Sequence, residues 1–486
     1  MNAPITAPST SATAARRISE RRSDCDTAGQ SSPLAASVSS VSPNSGDRSA
    51  AVGWRGHRAV HKSGVRHVPD DPSLRRFAYR TAGLRASEIR ALFSVASRPE
   101  VVSLAGGMPD TGALDMDAVS DTLAQVVAHD GAGALQYGGG QGYEPLREQL
   151  VEIMHTDGVA AHPDDLVVTT GAQQGLDLLA KLFCDPGDVV IAEGPSYVGA
   201  LGAFGSYQAE VVHVPMDAEG LDPGALENAL QRLRAQEQVV KLLYTVPNHQ
   251  NPAGVSLSAQ RRERLAEVAE RWDLLVVEDN PYGLLDFKGE ARTALRTLIP
   301  ERVVYVGTLS KIFSPGIRVG WVAASGSIRD KLVQLKEAAD LCQSNLTQHV
   351  AHRWFSVQPW QDQVAHFREH YRKRCRALTD ALSDEMGSVC EWSEPTGGLF
   401  VWARLPEGVD TGEMLATAVN HRVAYVPGRA FYADGSGQRE LRLNFSYCDE
   451  DRLRTGVQRL AEVVHAEIEL VQAFGESRAD RRPDDT

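Results

Sequence analysis

The chain carries the sequence VVYVGTLSKIFSPGIR at residues 303–318. Its first four residues form an apolar run of strand length, two hydroxyl side chains (Thr308 and Ser310) precede Lys311, and Arg318 follows seven residues later. A lysine whose surroundings favour the neutral amine can form a Schiff base with an aldehyde cofactor. Hydroxyl groups and an arginine can hold a phosphate group. This stretch therefore predicts a strand that presents a reactive lysine beside an anion-binding loop.

Similar apolar runs recur through the middle of the chain and alternate with helix-like segments such as residues 259–272. This alternation predicts an α/β fold in which helices flank a mostly parallel sheet on both faces. The predicted strands are Leu166–Thr169, Val189–Ala192, Val211–Val214, Leu242–Val246, Leu274–Val277, Val303–Val306 and Gly320–Ala324.

The pattern changes from about Gln358 onwards. A long polar helix is expected through His370–Leu382, followed by strands at Leu399–Arg404 and Leu441–Phe445 and a last helix at Asp451–Phe474. This arrangement predicts a smaller α+β domain after the large sheet.

The chain divides into five predicted segments. Residues 1–72 are rich in serine and poor in apolar side chains, which predicts a disordered extension. The remaining segments are an amino-terminal arm with part of the small domain at 73–110, a large domain at 111–357, a small carboxyl-terminal domain at 358–474 and a flexible tail at 475–486.

Composition excludes several classes of protein. The chain has 50 Lys and Arg against 63 Asp and Glu, a formal net charge of −13, which disfavours binding to nucleic acid or an anionic membrane. It has no apolar run of membrane-spanning length. The six cysteines are scattered without a CxxC pair, which favours free thiols in a reducing cytoplasm. It also has no HExxH, zinc-ribbon or P-loop motif, and we expect no metal site.

Three further segments place polar groups after predicted strands. The sequence VVEDNPY at 276–282 ends a strand in acids, and a carboxylate there, such as Asp279, points into the ligand crevice of a parallel sheet. Asp279 beneath a pyridine nitrogen would keep that nitrogen protonated. The sequence YTVPNHQNPAG at 244–254 offers the Asn251 amide to a phenolate oxygen. The sequence TTGAQQG at 169–175 turns a strand into a helix, whose free N–H groups suit a phosphate.

Taken in order, the four segments resemble the fold-type I, pyridoxal-phosphate-dependent aminotransferases of class I/II. The resemblance extends from about Phe77 to Phe474 and is strongest to the 2-aminoadipate and kynurenine aminotransferases. Five further strings are similar to that subgroup: LRASEIR at 84–90, SLAGGMPD at 103–110, LQY at 135–137, PTGGLFVW at 395–402 and LRLNFS at 441–446.

The resemblance implies pyridoxal 5′-phosphate as cofactor. Lys311 would hold it covalently and, once freed, carry the proton between the substrate Cα and the cofactor. Asp279 would pair with the pyridinium nitrogen, Asn251 and Tyr282 would hold the ring oxygen, and Tyr197 would stack on the ring. The residues implied for the phosphate are Gly171, Ala172, Gln173, Thr308, Ser310, Arg318 and, from the neighbouring subunit, Tyr137.

The same resemblance implies a substrate site. Arg442 would clamp the substrate α-carboxylate with its planar fork, a geometry that lysine cannot reproduce. Gly107 would line the site beside Asn251 and Tyr137, and Arg90 would meet a distal carboxylate. Because Tyr137 is donated in trans, a complete site implies a homodimer.

Two features depart from the subgroup pattern. The sequence GGGQG at 138–142 is unusually rich in glycine after Tyr137, and we expect an open or mobile wall there. The sequence PDTG at 109–112 lacks the apolar, proline-rich continuation of the group. The segment Pro395–Phe400 is expected to shape the small domain.

The implied reaction moves an amino group from an L-α-amino acid to a 2-oxo acid by a ping-pong mechanism, and the expected acceptor is 2-oxoglutarate. The small-molecule partners are therefore an amino acid and a 2-oxo acid. Elimination, decarboxylation-coupled transamination or oxidation with the same cofactor are alternatives. A further alternative is an aminotransferase-like transcriptional regulator, although the 72-residue extension lacks the apolar periodicity of a DNA-binding domain.

Overall fold

The computed structural model of the protein describes Ser73, residues 76–83 and residues 98–479. Three predictions lie wholly or partly outside these residues: the disordered extension at 1–72, a helix at Leu84–Ser94 predicted from the apolar positions of the segment that contains Arg90, and the flexible tail at 475–486, of which residues 480–486 are not described.

The strands of the described residues form three sheets. They are β1 (Val102–Ser103), β2 (Leu166–Thr169), β3 (Val189–Gly194), β4 (Glu210–Asp217), β5 (Gly220–Leu221), β6 (Val240–Thr245), β7 (Val276–Asp279), β8 (Val303–Thr308), β9 (Gly320–Ala323), β10 (Glu391–Trp392), β11 (Phe400–Arg404), β12 (Val423–Ala424), β13 (Val426–Pro427) and β14 (Glu440–Asn444).

The α-helices of the described residues pack on these sheets. They are α1 (Met116–Ala134), α2 (Glu144–Thr156), α3 (Ala172–Phe183), α4 (Val198–Ser206), α5 (Pro223–Ala235), α6 (Ala259–Arg271), α7 (Leu295–Leu298), α8 (Gly326–Asp340), α9 (Asn345–Val357), α10 (Trp360–Met386), α11 (Thr411–Asn420) and α12 (Glu450–Ala479).

The largest sheet has eight strands in the order β2-β9-β8-β7-β6-β3-β4-β5. Strands β8, β7, β6, β3 and β4 are parallel neighbours, whereas β9 runs antiparallel to both β2 and β8, and β5 runs antiparallel to β4. Every residue of β2, β7, β8 and β9 is buried, as expected for strands covered by helices on both faces. The prediction of a mostly parallel sheet flanked by helices is confirmed.

One strand is shifted from its predicted position. The sequence predicted Leu274–Val277, but β7 covers Val276–Asp279. Asp273 adopts a left-handed conformation (φ 54°) after α6, and the Leu274 N–H bonds to the Ala269 carbonyl oxygen at 2.9 Å. In this Schellman-type ending the buried Leu274 belongs to the end of the helix, and the strand therefore begins two residues later than predicted. Asp279 is consequently the last residue of β7.

The carboxyl-terminal part of the chain builds a small α+β domain, as predicted. Its antiparallel sheet has the order β10-β11-β14-β13, and β1 pairs separately with β12. The long helices α10 and α12 pack against each other. Both exceed their predicted lengths, because α10 begins at Trp360 rather than His370 and α12 continues to Ala479 rather than Phe474. No helix in the described part of the chain is long and apolar enough to span a membrane.

Candidate active site

A cavity of about 1060 Å³ opens where strands β6, β7 and β8 of the large sheet end. Parallel strands bring their carboxyl ends to one edge, and residues far apart in sequence meet there. The predicted site residues that line this cavity are Gly107, Ala172, Gln173, Tyr197, Asn251, Asp279, Tyr282, Thr308, Ser310, Lys311, Arg318 and Arg442.

Lys311 lies three residues beyond the end of β8 and points into the cavity. Its Nζ donates a hydrogen bond to the Gly107 carbonyl oxygen at 2.8 Å. Burial of the amine and the positive charges of Arg442 and Arg318 lower the pKa of Lys311 to about 8. A substantial fraction of the amine is therefore neutral near physiological pH, which is the form needed for a nucleophile.

Asp279 ends β7 with only 3% of its surface exposed. Its Oδ2 accepts a hydrogen bond from the Tyr244 hydroxyl at 2.8 Å, while its Oδ1 has no hydrogen-bond partner among the described residues. Burial raises the pKa of Asp279 to about 7, although the Tyr244 hydrogen bond opposes this shift. A cation placed against the free Oδ1 would favour the ionised carboxylate.

Asn251 and Tyr282 lie together on one side of the cavity. The Asn251 Nδ2 donates to the Tyr282 hydroxyl oxygen at 3.5 Å, and the Asn251 Oδ1 accepts from Arg442 Nη1 at 2.9 Å. Burial raises the pKa of Tyr282, which keeps its phenol protonated. Both side chains can therefore donate hydrogen bonds to an oxygen in the cavity.

Arg442 comes from β14 of the small antiparallel sheet and is almost fully buried. Its guanidinium lies 4.3 Å from the centre of the Phe400 ring and 5.1 Å from that of Phe431, and its Nη2 donates to the Ala105 carbonyl oxygen at 2.7 Å. Burial lowers the pKa of Arg442 to about 10, and the group therefore stays charged at neutral pH. Phe400, expected only to shape the domain, is the aromatic surface on which this cation rests.

The opposite end of the cavity is built for an anion. The first N–H groups of any α-helix have no acceptor within the helix. At the start of α3 the residue in the capping position is Gly171 (φ 76°), which has no side chain to supply one. A Cβ at Gly171 would lie 2.4 Å from Arg318 Nη2, a contact that only glycine avoids. On the same side, the Thr308 hydroxyl donates to Ser310 Oγ at 2.9 Å.

Tyr197 and Gly107 occupy the remaining walls. The Tyr197 hydroxyl donates to Gln173 Oε1 at 3.3 Å, which ties the ring to the start of α3. A Cβ at Gly107 would lie 3.3 Å from Phe400 Cζ and 3.9 Å from Arg442 Nη2. A larger residue at position 107 would thus press on the Phe400 ring, on which Arg442 rests.

The remaining predicted residues lie elsewhere. Tyr137 does not line the cavity and is 77% exposed in the single chain. Gly171 adjoins the cavity without lining it, and Arg90 lies outside the described residues.

The expectation of an open or mobile wall after Tyr137 is wrong for Gly138, Gly140 and Gly142, whereas Gly139 does face open space. A Cβ on Gly138 would lie 2.9 Å from Asn345 Oδ1, and one on Gly140 would clash with Glu337. Gly142 has φ 106° and packs on Val168. These glycines permit close packing of the loop on its neighbours instead of leaving it loose.

Sequence reasoning missed several polar residues of the cavity. Thr170, Gln174 and Asp340 line it beside the anion end. Thr170, Gln174 and Tyr244, which bonds Asp279, all lay within segments considered in the sequence, but none was given a role. Asp340 could not be found in this way, because its four-residue spacing from Lys336 is typical of an ion pair on a helix surface.

The fold and the cavity bring together a buried amine of lowered pKa, a carboxylate with an unpaired oxygen, a helix start beside an arginine, and a second, buried arginine. The family model for aminotransferase class I and II matches residues 99–460. The aromatic-amino-acid aminotransferase 1 of Thermococcus litoralis is 40% identical over 394 residues, 81% of this chain and 94% of the relative. The 2-aminoadipate transaminase of Thermus thermophilus is 36% identical over 393 residues, 80% of this chain and 96% of the relative.

A solved structure agrees with these relatives. The kynurenine aminotransferase of Pyrococcus horikoshii superimposes with a TM-score of 0.78 at 38% identity, covering 81% of this chain and 98% of that one. The chain belongs to the class I and II aminotransferase family. It is a pyridoxal-phosphate-dependent transaminase of fold type I, as the resemblance implied.

The residues present fit this cofactor. The free, buried Oδ1 of Asp279 suits a protonated ring nitrogen, and the uncapped start of α3 beside Arg318 suits a phosphate. Lys311 follows β8, which lies between the strand that ends in Asp279 and the strand that Arg318 precedes.

We expect the apoenzyme to capture pyridoxal phosphate covalently at a rate that rises with pH through a midpoint near 8. The pKa of Lys311 is lowered to about 8, and only the neutral amine attacks an aldehyde. The neutral fraction rises from about one tenth at pH 7 to about nine tenths at pH 9. Stopped-flow absorbance measures the rate, and Lys311→Ala serves as the control without a covalent phase. A midpoint at the ordinary lysine value of 10.5 would contradict this assignment.

Proposed function

We propose that the protein moves an amino group from an L-α-amino acid with a large side chain to a 2-oxo acid, with 2-oxoglutarate as the acceptor. One observation carries the proposal: the amine of Lys311 and the fork of Arg442 converge on the carbonyl groups of one short segment, Gly107 and Ala105 respectively. A substrate whose α-carboxylate binds Arg442 has its Cα near Lys311. Both half-reactions use this cavity, and the kinetics should be ping-pong.

The chemistry divides between cofactor and protein. When bound, pyridoxal phosphate supplies a ring that accepts the electron pair left at the substrate Cα. Lys311 would take the proton from that Cα and carry it to its acceptor, a task that its lowered pKa of about 8 favours. Asp279, held by Tyr244, would stabilise a positive charge on the ring nitrogen.

Neighbouring side chains fix the position of the ring and the phosphate. Asn251 and Tyr282 would donate to the ring oxygen, and Tyr197 would stack on the ring face. The residues that would hold the phosphate are Gly171, Ala172, Gln173, Thr308, Ser310, Arg318 and Tyr137 of the partner subunit.

The substrate side favours a bulky donor. The cavity of about 1060 Å³ has room for a large side chain, and Arg442 would hold the α-carboxylate in a water-poor setting where a charged hydrogen bond is strong. The relatives are named for aromatic amino acids, 2-aminoadipate and kynurenine, all of which have long or large side chains. Arg90 is our candidate for a distal carboxylate.

We propose a homodimer in the cytoplasm. The exposed apolar residues Leu135 (70%), Tyr137 (77%) and Leu341 (58%) belong to two segments that pack together, the loop after α1 and the turn between α8 and α9. Apolar surface of this kind favours burial against a second copy, which would also bring Tyr137 to the neighbouring cavity. The cysteines of the described residues are free, in keeping with a reducing compartment.

We expect the visible absorbance of the holoenzyme to bleach with an aromatic donor, L-kynurenine or L-2-aminoadipate and to return on addition of 2-oxoglutarate. L-alanine should bleach it far less, because its methyl group fills little of the cavity. Product analysis by mass spectrometry should give one glutamate for each 2-oxo acid formed.

The matched variant is Arg442→Lys, which keeps the charge but loses the fork. We expect kcat/KM for the donor to fall roughly 100-fold, about 2.7 kcal/mol of transition-state binding. Consumption of the donor without 2-oxoglutarate would instead support elimination or oxidation and contradict transamination.

Mixing two inactive variants tests the donation of Tyr137 between subunits. In a mixed dimer of Lys311→Ala and Tyr137→Ala chains, one site receives Lys311 from its own chain and Tyr137 from the partner, and that site is complete. We therefore expect activity to reappear after the two proteins are unfolded and refolded together. If both residues acted within one chain, no mixed dimer would contain a complete site and the mixture would stay as weak as its parents.

A further inference from the structure

A buried ion pair lies behind the anion end of the cavity. Lys336 on α8 is completely buried, and its Nζ lies 2.9 Å from Oδ1 of Asp340, four residues later on the same helix. Asp340 itself lines the cavity with its side chain 24% exposed. A carboxylate at the phosphate end of a cavity is unfavourable for anion binding unless it has a compensating task.

The second oxygen of Asp340 is also in use. Oδ2 accepts from Gln174 Nε2 at 2.7 Å, and the Gln174 Oε1 accepts from the Thr170 backbone N–H at 2.7 Å. Gln174 is the third residue of α3, and its amide oxygen bonds to a residue that precedes the helix and not to the N–H groups of Ala172 and Gln173. Those two N–H groups remain available to an anion.

The turn after α8 holds the other side of the cradle. The Gln343 Nε2 donates to the Arg318 carbonyl oxygen at 2.6 Å, and the Thr170 hydroxyl donates to Gln343 Oε1 at 2.5 Å. Arg318 Nη2 in turn donates to the Thr170 carbonyl oxygen at 3.0 Å. The start of α3 and Arg318 are therefore both fixed by residues of one short segment, 340–343.

The conformation of this segment is unusual. Leu341 has φ 64° and ψ −55°, and the Cys342 N–H bonds to the Asp340 carbonyl oxygen at 2.7 Å. This is a tight γ-turn of the strained kind, occupied by a branched residue that is exposed. Such strain persists only where surrounding bonds define the conformation, as Asp340 and Gln343 do here.

We propose that Lys336 and Asp340 are positioning residues for the cofactor phosphate. Lys336 neutralises Asp340, and Asp340 orients Gln174 so that the first N–H groups of α3 face the phosphate. This inference rests on the phosphate end assigned under the proposed function.

Asp340→Asn tests the inference because an asparagine has one acceptor oxygen where aspartate has two. The buried Lys336 takes that oxygen, Gln174 loses its acceptor, and the cradle loses its alignment. Equilibrium titration of the apoenzyme, followed by absorbance, should show binding of pyridoxal phosphate weakened about tenfold, the effect of one hydrogen bond to a charged group. Binding of pyridoxal, which lacks the phosphate, should change less than about twofold.

A double variant and a control sharpen the test. In the double variant Lys336→Met, Asp340→Asn the lysine is gone, and the amide oxygen at position 340 is free to accept from Gln174. This variant should recover most of the affinity for pyridoxal phosphate. It also keeps the test possible if the single variant does not fold. Glu369→Gln breaks the exposed ion pairs of Glu369 with Arg372 and Lys373 on α10 and should leave both ligands unaffected.

Three outcomes would overturn the proposal: equal weakening of both ligands, no weakening of either, or a double variant as weak as the single one. The proposed function fails separately, since it requires the wild-type enzyme to bind pyridoxal phosphate and to complete both half-reactions.

Discussion

The site depends on one buried carboxylate with an unpaired oxygen. Asp279 is held by Tyr244 through one oxygen, and the other faces the cavity without a partner among the described residues. A buried anion is costly unless a cation meets it, and the pKa of Asp279 is accordingly raised to about 7. The cavity thus selects a ligand that can present a positive charge at that point, which a protonated pyridine ring does.

Strand order converts this constraint into an active site. Lys311 follows β8, Asp279 ends β7 and Asn251 follows β6, and these three strands are neighbours in the sheet. On the far side of β8, Arg318 precedes β9 and Gly171 follows β2, so the anion cradle is continuous with the lysine. The small sheet then contributes Arg442 from β14, which makes the substrate site depend on both sheets.

Local sequence predicted the parts of the site that sit at strand ends. An apolar run precedes each of Lys311, Asp279 and Asn251, and the residues beside them indicate their chemistry. The prediction placed β7 two residues too early, because the apolar Leu274 belongs to the end of the preceding helix and not to the strand. Gly138 and Gly140 were misread because only the packed structure shows Asn345 and Glu337 against them. The network of Gln174, Asp340 and Lys336 joins segments about 160 residues apart, a proximity that no local pattern encodes.

The role of Asp279 can be measured on the ring nitrogen itself. Nitrogen-15 NMR of the enzyme loaded with pyridoxal phosphate labelled at the ring nitrogen reports whether that atom carries a proton. We expect a protonated nitrogen in the wild type at neutral pH and an unprotonated one in Asp279→Ala, because the carboxylate supplies the stabilising charge. An unprotonated nitrogen in the wild type, or the same signal in both proteins, would contradict it.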